Sequence, residues 1–183
     1  MQIVRWGIVG TGGIAHRFAE AAKNVEGVSL EAVASRNDGT ARQFADEFGI
    51  PHPFGSYEDM ARFDGIDAAY IATPHALHAP NGMLMMNHGK AVLSEKPITV
   101  NMLQLDEMIA CAQKNKVFLM EAMWARLTPG TIKLLEIVKS GAIGEVKGIQ
   151  AAFCYDMSDE PDHHAFNPLY GGGSLLDVGC YCL

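Results

Sequence analysis

Arg5-Trp6-Gly7-Ile8-Val9-Gly10-Thr11-Gly12-Gly13-Ile14-Ala15-His16-Arg17 is the stretch on which the fold turns. An apolar strand, Ile3 to Val9, runs into Gly10-Thr11-Gly12-Gly13-Ile14-Ala15, which matches G-x-G-x-x-[G/A], and a helical pattern follows at once. Strand, glycine turn and helix in that order make a phosphate-binding turn. Gly10 allows the tight bend, Gly12 lets the backbone approach a pyrophosphate, and Ala15 is small enough for helix and strand to pack closely. The free N–H groups of the helix start then face the anion, and the helix dipole favours negative charge there. Gly10, Thr11, Gly12, Gly13 and Ile14 are therefore the candidate pyrophosphate contacts of a dinucleotide.

Working outward, the rest of the chain follows the same rhythm. Ile14, Ala15, Phe18, Ala19 and Ala22 recur at helical spacing; Val28 to Ala34 alternates as a second strand; Ala41, Phe44, Ala45 and Phe48 mark a helix stopped by Gly49. Ser56 and Asp59 open a short helix. Strands follow at Asp67–Thr73, Ala91–Ser94 and Val117–Met120, with helices over Ala79–Asn87 and Asn101–Asn115 between them. Alternating strands and helices predict an α/β, Rossmann-type, doubly wound parallel sheet.

The rhythm changes near Met123. Thr128 caps a helix from Pro129 to Ser140, and Val146 to Tyr155 reads as a long strand with Ile149, Ala151, Phe153 and Tyr155 on one face. Such alternation belongs to an open antiparallel-type sheet. The chain thus divides into a Rossmann-type domain over 1–122 and the start of a second, α/β domain over 123–183. Asp156 to Gly173 is a polar loop, and Ser174 opens a helix. One strand and two helices do not close a sheet layer, so this second unit is expected to be incomplete.

Composition narrows the function. The chain has 183 residues, 49% of them hydrophobic, and a formal charge of −7 with no basic block. That argues against nucleic acid or an anionic membrane as partner. No apolar run approaches the roughly 20 residues of a membrane span, and the N-terminus has no signal-peptide pattern, so a cytoplasmic protein is expected. The four cysteines form no C-x-x-C pair and read as reduced thiols. No metal site is expected.

The chemistry lies at the strand ends. Where an NAD enzyme carries an acidic residue after the second strand, this chain has Ala34-Ser35-Arg36. Ser35 can donate to a 2′-phosphate and Arg36 can pair with it bidentately, which favours NADP. NAD stays open if Asp38 binds the ribose instead. Thr73-Pro74-His75-Ala76-Leu77-His78 follows another strand, with Thr73 and Pro74 fixing the loop near the nicotinamide and His75 and His78 competing for a contact there. In Ser94-Glu95-Lys96-Pro97, Lys96 either takes a hydroxyl proton, with its pKa depressed by burial, or stays charged beside an alkoxide or phenolate, with Glu95 holding the ammonium. An exposed Glu-Lys pair is the plain alternative. In Gly171-Gly172-Gly173-Ser174-Leu175-Leu176-Asp177-Val178-Gly179-Cys180-Tyr181, Ser174 and Asp177 form a capping box, and Asp177 and Tyr181 share one helical face. A carboxylate and a phenol brought near Lys96 make a proton-transfer group, Lys96 lowering the phenol toward neutrality.

Taken together, Gly-Thr-Gly-Gly-Ile-Ala, Ala-Ser-Arg, Thr-Pro-x-x-x-His, Glu-Lys-Pro and Gly-Gly-Gly-Ser-Leu-Leu-Asp-Val-Gly-Cys-Tyr resemble the Gfo/Idh/MocA oxidoreductase family, in the branch of dihydrodiol dehydrogenases and NADP-linked sugar dehydrogenases. Met-Trp-Ala-Arg and Gly-Ala-Ile-Gly-Glu-Val point the same way. The resemblance implies a hydride-transferring enzyme, a homodimer when complete, acting on a sugar, polyol or cyclic trans-diol. It also implies that Lys96 and Tyr181 are catalytic with Asp177 as the helix aspartate, and that Trp124 and Arg126 line the substrate entrance. The other readings are a non-catalytic nucleotide-binding protein of the same fold and an inactive truncated piece.

Overall fold

The computed structural model describes residues 3–156 and 163–183. Its centre is a six-stranded sheet formed by β1 (Val4–Val9), β2 (Val28–Ala34), β3 (His52–Phe54), β4 (Ala68–Ile71), β5 (Ala91–Ser94) and β6 (Leu119–Glu121). The strand order is β3-β2-β1-β4-β5-β6, and every neighbouring pair is parallel. Parallel neighbours require crossovers. These are α1 (Gly13–Ala22), α2 (Asp38–Phe48), α3 (Tyr57–Arg62), α4 (His78–Asn87) and α5 (Met102–Asn115).

Alternation along each strand sends successive side chains to opposite faces and makes two cores. Ile8, Val33 and Tyr70 pack with Ala15 and Ala19 of α1 and Phe44 and Ala45 of α2. Val9, Ala32, Ala69 and Ile71 pack with Met60, Met85, Met86 and Met108 from the helices opposite. With both faces covered, the strands are apolar runs, as parallel sheets require. Caps set the helix ends: Asn37 accepts from the Thr40 N–H at 3.1 Å, Asn101 from the Gln104 N–H at 2.9 Å, and Gly49 ends α2 in the left-handed region at φ 70°.

The short β3 was not expected. It pairs Ala32 with His52 and Ala34 with Phe54, and lies at the sheet's edge, where Pro53 can sit without breaking a central ladder.

Past β6 the expectations divide. Thr128 caps α6 (Pro129–Lys139), its Oγ1 accepting from the Thr131 N–H at 3.3 Å, and Gly141 follows at φ 75°. The strand expected over Val146–Tyr155 is absent; residues 146–156 are irregular. Alternation supplies a face but not a partner, and among the described residues no strand lies beside this segment to take its backbone groups. Ile149 is 87% exposed, and Ile132, Leu134 and Leu135 of α6 are open as well. The loop expected from Asp156 to Gly173 lies partly outside the described residues. Its later part forms short 3-10 turns at His164–Phe166 and Pro168–Tyr170. The final helix, α7 (Ser174–Asp177), is a single turn followed by another 3-10 turn over Gly179–Cys182.

Candidate active site

The strand order reverses between β1 and β4, and ligands of open α/β sheets bind in the crevice beyond that point. A cavity of about 510 Å³ lies there. At its first wall, β1 ends in the glycine turn. Gly10 has φ +105°, and a Cβ on it would stand 2.8 Å from the carbonyl oxygen of Ala72, so backbone crowding and torsion both demand glycine. A Cβ on Gly12 or Gly13 would meet nothing within 4 Å, only the cavity. Ala15 is fully buried, which seats α1 closely on the sheet. Thr11 and Ile14 complete this wall.

The end of β2 supplies the next wall. Ser35 donates its backbone N–H to the Phe54 carbonyl at 3.1 Å, and both Ser35 and Arg36 line the cavity. Arg36 has no carboxylate partner among the described residues. Asp38, the alternative ribose ligand, is outside the cavity lining and is paired with Arg42 at 2.7 Å.

The ends of β4 and β5 carry the third group. Thr73, Pro74 and His75 line the cavity beside Glu95 and Lys96. His75 donates through Nδ1 to the Gly171 carbonyl at 3.0 Å, and its Nε2 is 3.7 Å from Asp177 Oδ1. His78 borders the cavity but is fully buried. Its ring nitrogens face the carbonyls of Pro97 at 2.8 Å and Thr73 at 2.7 Å. Burial lowers its pKa to about 4 against the pull of those carbonyls, so near neutrality the uncharged ring donates to one of the two carbonyls and is packed between the loops rather than free as a ligand.

Lys96, Asp177 and Tyr181 meet at this end. Lys96 Nζ donates to Asp177 Oδ1 at 2.8 Å and also to the Asp177 backbone carbonyl. Burial works against the ammonium, but Asp177 outweighs it, so the Lys96 pKa is raised rather than depressed. The expected capping box is not formed: Gly173 precedes α7 with no side-chain cap, and the Asp177 carboxylate has gone to Lys96. Nor does one helix carry both residues, since α7 stops at Asp177. Tyr181 reaches the site from the 3-10 turn, its ring 5.1 Å from Lys96 Nζ. The Trp124 indole donates to the Tyr181 hydroxyl at 2.9 Å. Burial raises the Tyr181 pKa, outweighing the opposite pull of Trp124 and Lys96.

Glu95 does not hold the ammonium. It accepts from the Tyr70 hydroxyl at 2.5 Å and from the Lys96 backbone N–H at 3.1 Å, and burial raises its pKa. It is a buried support for the Lys96 backbone.

One cavity therefore gathers the glycine turn, Ser35, Arg36, the Thr73 loop, Glu95, Lys96, Asp177 and Tyr181. Trp124 touches it through Tyr181, whereas Arg126 is exposed and outside the lining. Tyr57, Ala72, Leu77 and His163 also line it and had not been expected. The shape fits a dinucleotide. In the sheet order β2 and β5 are three interstrand spacings apart, about 14 Å, so Ser35-Arg36 and Lys96 lie at separate ends with the open glycine cradle between them. Among the described residues no His/Cys/Asp/Glu group is arranged to hold a metal ion, and no helix is long and apolar enough to cross a membrane.

Known proteins share this fold. Residues 4–123 match the family model described as "Oxidoreductase family, NAD-binding Rossmann fold", and residues 131–183 match "GFO/IDH/MocA C-terminal domain". The chain is 41% identical to mouse trans-1,2-dihydrobenzene-1,2-diol dehydrogenase over 98% of its own length and 54% of that protein's. It is 40% identical to the scyllo-inositol 2-dehydrogenase (NADP(+)) IolU of Bacillus subtilis, over 99% of itself and 56% of the relative. Among solved structures, the 3-ketoreductase KijD10 of Actinomadura kijaniata in complex with NADP superposes with a TM-score of 0.91 at 30% identity, over 98% of this chain and 55% of that one. The chain spans about half the length of the curated relatives it matches. An open glycine cradle at the switch point of a parallel sheet, matched by a family model over most of the chain, shows that this chain belongs to the Gfo/Idh/MocA oxidoreductase family.

Proposed function

We propose that the chain carries the cofactor domain, and the first part of the substrate domain, of an NADP-dependent oxidoreductase. The reaction is hydride transfer between the nicotinamide and a secondary alcohol of a sugar or cyclic trans-diol. The observation that carries this reading is the convergence of Lys96, Asp177 and Tyr181 at one end of a cavity whose other end holds the Arg36 guanidinium, which has no carboxylate partner among the described residues. Arg36 and Ser35 line the cavity and suit a 2′-phosphate, while Asp38, the alternative ribose ligand, lies outside that lining. The names of the relatives, a dihydrodiol dehydrogenase and an NADP-linked inositol dehydrogenase, fit both halves of the proposal.

Bound NADP supplies the hydride donor or acceptor. The residues of the chain supply the rest. Gly10, Thr11, Gly12, Gly13 and Ile14 hold the pyrophosphate, Thr73, Pro74 and His75 shape the nicotinamide end, and His78 braces it. Lys96, kept charged by Asp177, places an ammonium where an alkoxide or phenolate develops, so it acts electrostatically and not as the base. Tyr181 exchanges the proton at its phenol oxygen. Because the Trp124 indole donates to that oxygen, the phenolic proton is left to point elsewhere, toward substrate. Burial keeps Tyr181 protonated near neutrality, which suits a donor in carbonyl reduction; in alcohol oxidation Lys96 favours the phenolate.

We further propose a division into a Rossmann domain over 1–122 and a substrate domain from 123, a small-molecule substrate with neither nucleic acid nor membrane as partner, a cytoplasmic setting, and a homodimer when the second domain is entire. The ranges matched by the two family models support the division. The test uses a longer protein that includes the rest of the second domain, with NADPH binding followed by fluorescence and oxidation screened over sugars and diols. Lys96→Ala and Tyr181→Phe are each expected to lower kcat/KM by about 100-fold or more; unaltered turnover in either variant overturns the assignment. Tight NADPH binding with no oxidation of any sugar or diol would instead favour a nucleotide-binding regulator.

A further inference from the structure

The edge strand β3 has a consequence for the cofactor pocket. Parallel pairing of Ala34 with Phe54, and the bond from the Ser35 N–H to the Phe54 carbonyl, make β2 and β3 end side by side. The chain leaves both strands on the same side of the sheet. A Cβ on Gly55 would stand 3.1 Å from Cβ of Asp38, so the two exit loops are in close contact. Ser56 then caps α3, its Oγ accepting from the Asp59 N–H at 3.1 Å, and this places Tyr57 as the first helical residue.

From that position Tyr57, like Phe54 and Phe63, packs against the core cluster that contains Met60 and Ala61, while the residue lines the cavity with Ser35 and Arg36. Its hydroxyl has no hydrogen-bond partner among the described residues. Burial raises its pKa more than the nearby Arg36 lowers it, so the hydroxyl keeps its proton and can donate. An anchored phenol, a serine hydroxyl and the Arg36 guanidinium at one end of a cavity form a set of donors suited to a tetrahedral dianion. A ribose 2′-hydroxyl, which also needs an acceptor, is served less well there.

Resting on the NADP reading above, we infer that the Tyr57 hydroxyl donates a hydrogen bond to the 2′-phosphate and is a specificity-determining residue for NADP over NAD. The ring's packing holds that donor at a fixed distance, which a flexible arginine alone cannot do.

The test is equilibrium binding of NADPH and NADH to the 183-residue chain, followed by cofactor fluorescence, for the unsubstituted protein, Tyr57→Phe and Arg36→Ala, with circular dichroism to check the fold. Phenylalanine keeps the ring and its packing. Loss of one hydrogen bond to a charged group is expected to raise the NADPH Kd by roughly 10-fold or more, with the NADH Kd within about twofold. Arg36→Ala should likewise remove NADPH preference. If Tyr57→Phe leaves the NADPH to NADH ratio unaltered, or weakens both cofactors equally, the inference falls while the NADP reading stands. If the unsubstituted chain shows no preference for NADPH and Arg36→Ala changes nothing, the NADP reading falls and this inference with it.

Discussion

At the scale of single residues, the site is decided by where Asp177 sends its carboxylate. A capping role would have satisfied it locally; instead it bonds Lys96, a side chain only 12% exposed. An ammonium so enclosed is costly without a counter-charge, so Asp177→Asn should destabilise the chain by about 2 kcal/mol near neutral pH. Because the pair raises the folded pKa of Lys96, its stabilisation is fully present below the unfolded lysine value, about 10.4, and is lost as pH rises through the folded value. Thermal midpoints measured from about pH 9 upward should therefore fall less steeply in Asp177→Asn than in the parent. Equal slopes would mean that Lys96 owes its charge to something other than Asp177.

At the scale of elements, the difference between what sequence reading anticipated and what it missed has one cause. Val4–Val9, Val28–Ala34 and Ala91–Ser94 are buried strands between helices, and their apolar runs, glycine stops and Asn or Ser caps are local signals. Strand β3 is three residues with Pro53 in the middle, and only its pairing with β2 makes it a strand. Missing it meant missing Tyr57, whose place in the cavity depends on that pairing. The segment 146–155 shows the opposite error, a good strand pattern with no partner strand among the described residues. The catalytic candidates were legible as motifs, yet their contacts were not, because Lys96 to Asp177 spans 81 positions. The β1–α1 turn allows a direct test at this scale. In Gly10→Ala the new methyl meets the Ala72 carbonyl at 2.8 Å in a backbone conformation of φ +105°. Neither strand can yield, since β1 and β4 are paired along Trp6 to Val9. A loss of about 2 kcal/mol is expected, read by denaturant unfolding, whereas Gly12→Ala, with open space around it, should keep its stability and lose cofactor affinity.

At the scale of the whole molecule, the crevice opens where the strand order reverses between β1 and β4, and the loops that leave β4 and β5 must be held together along its floor. His78 does this, with Thr73 on one side and Pro97 on the other. A cationic ring could donate to both carbonyls at once, but the ring has no exposed surface, and removing a charge from water there outweighs the second bond, which leaves the pKa at about 4. The unfolded chain binds the proton near pH 6.5. Above that value both states carry a neutral ring and the full stability is present. As the pH falls from about 6.5 toward 4, the unfolded state takes up a proton that the folded state refuses, and stability drops by on the order of 3 kcal/mol. His78→Gln, which keeps an amide donor for one carbonyl and cannot titrate, should be less stable than the parent at neutral pH and lose less stability across that interval. Urea unfolding at several pH values between about 4 and 7 measures both slopes. A histidine that gains a second bond on protonation would instead stabilise the fold in acid, so a parent protein whose acid slope is no steeper than that of His78→Gln would mean that hydrogen bonding, not burial, governs the ring that spans the crevice.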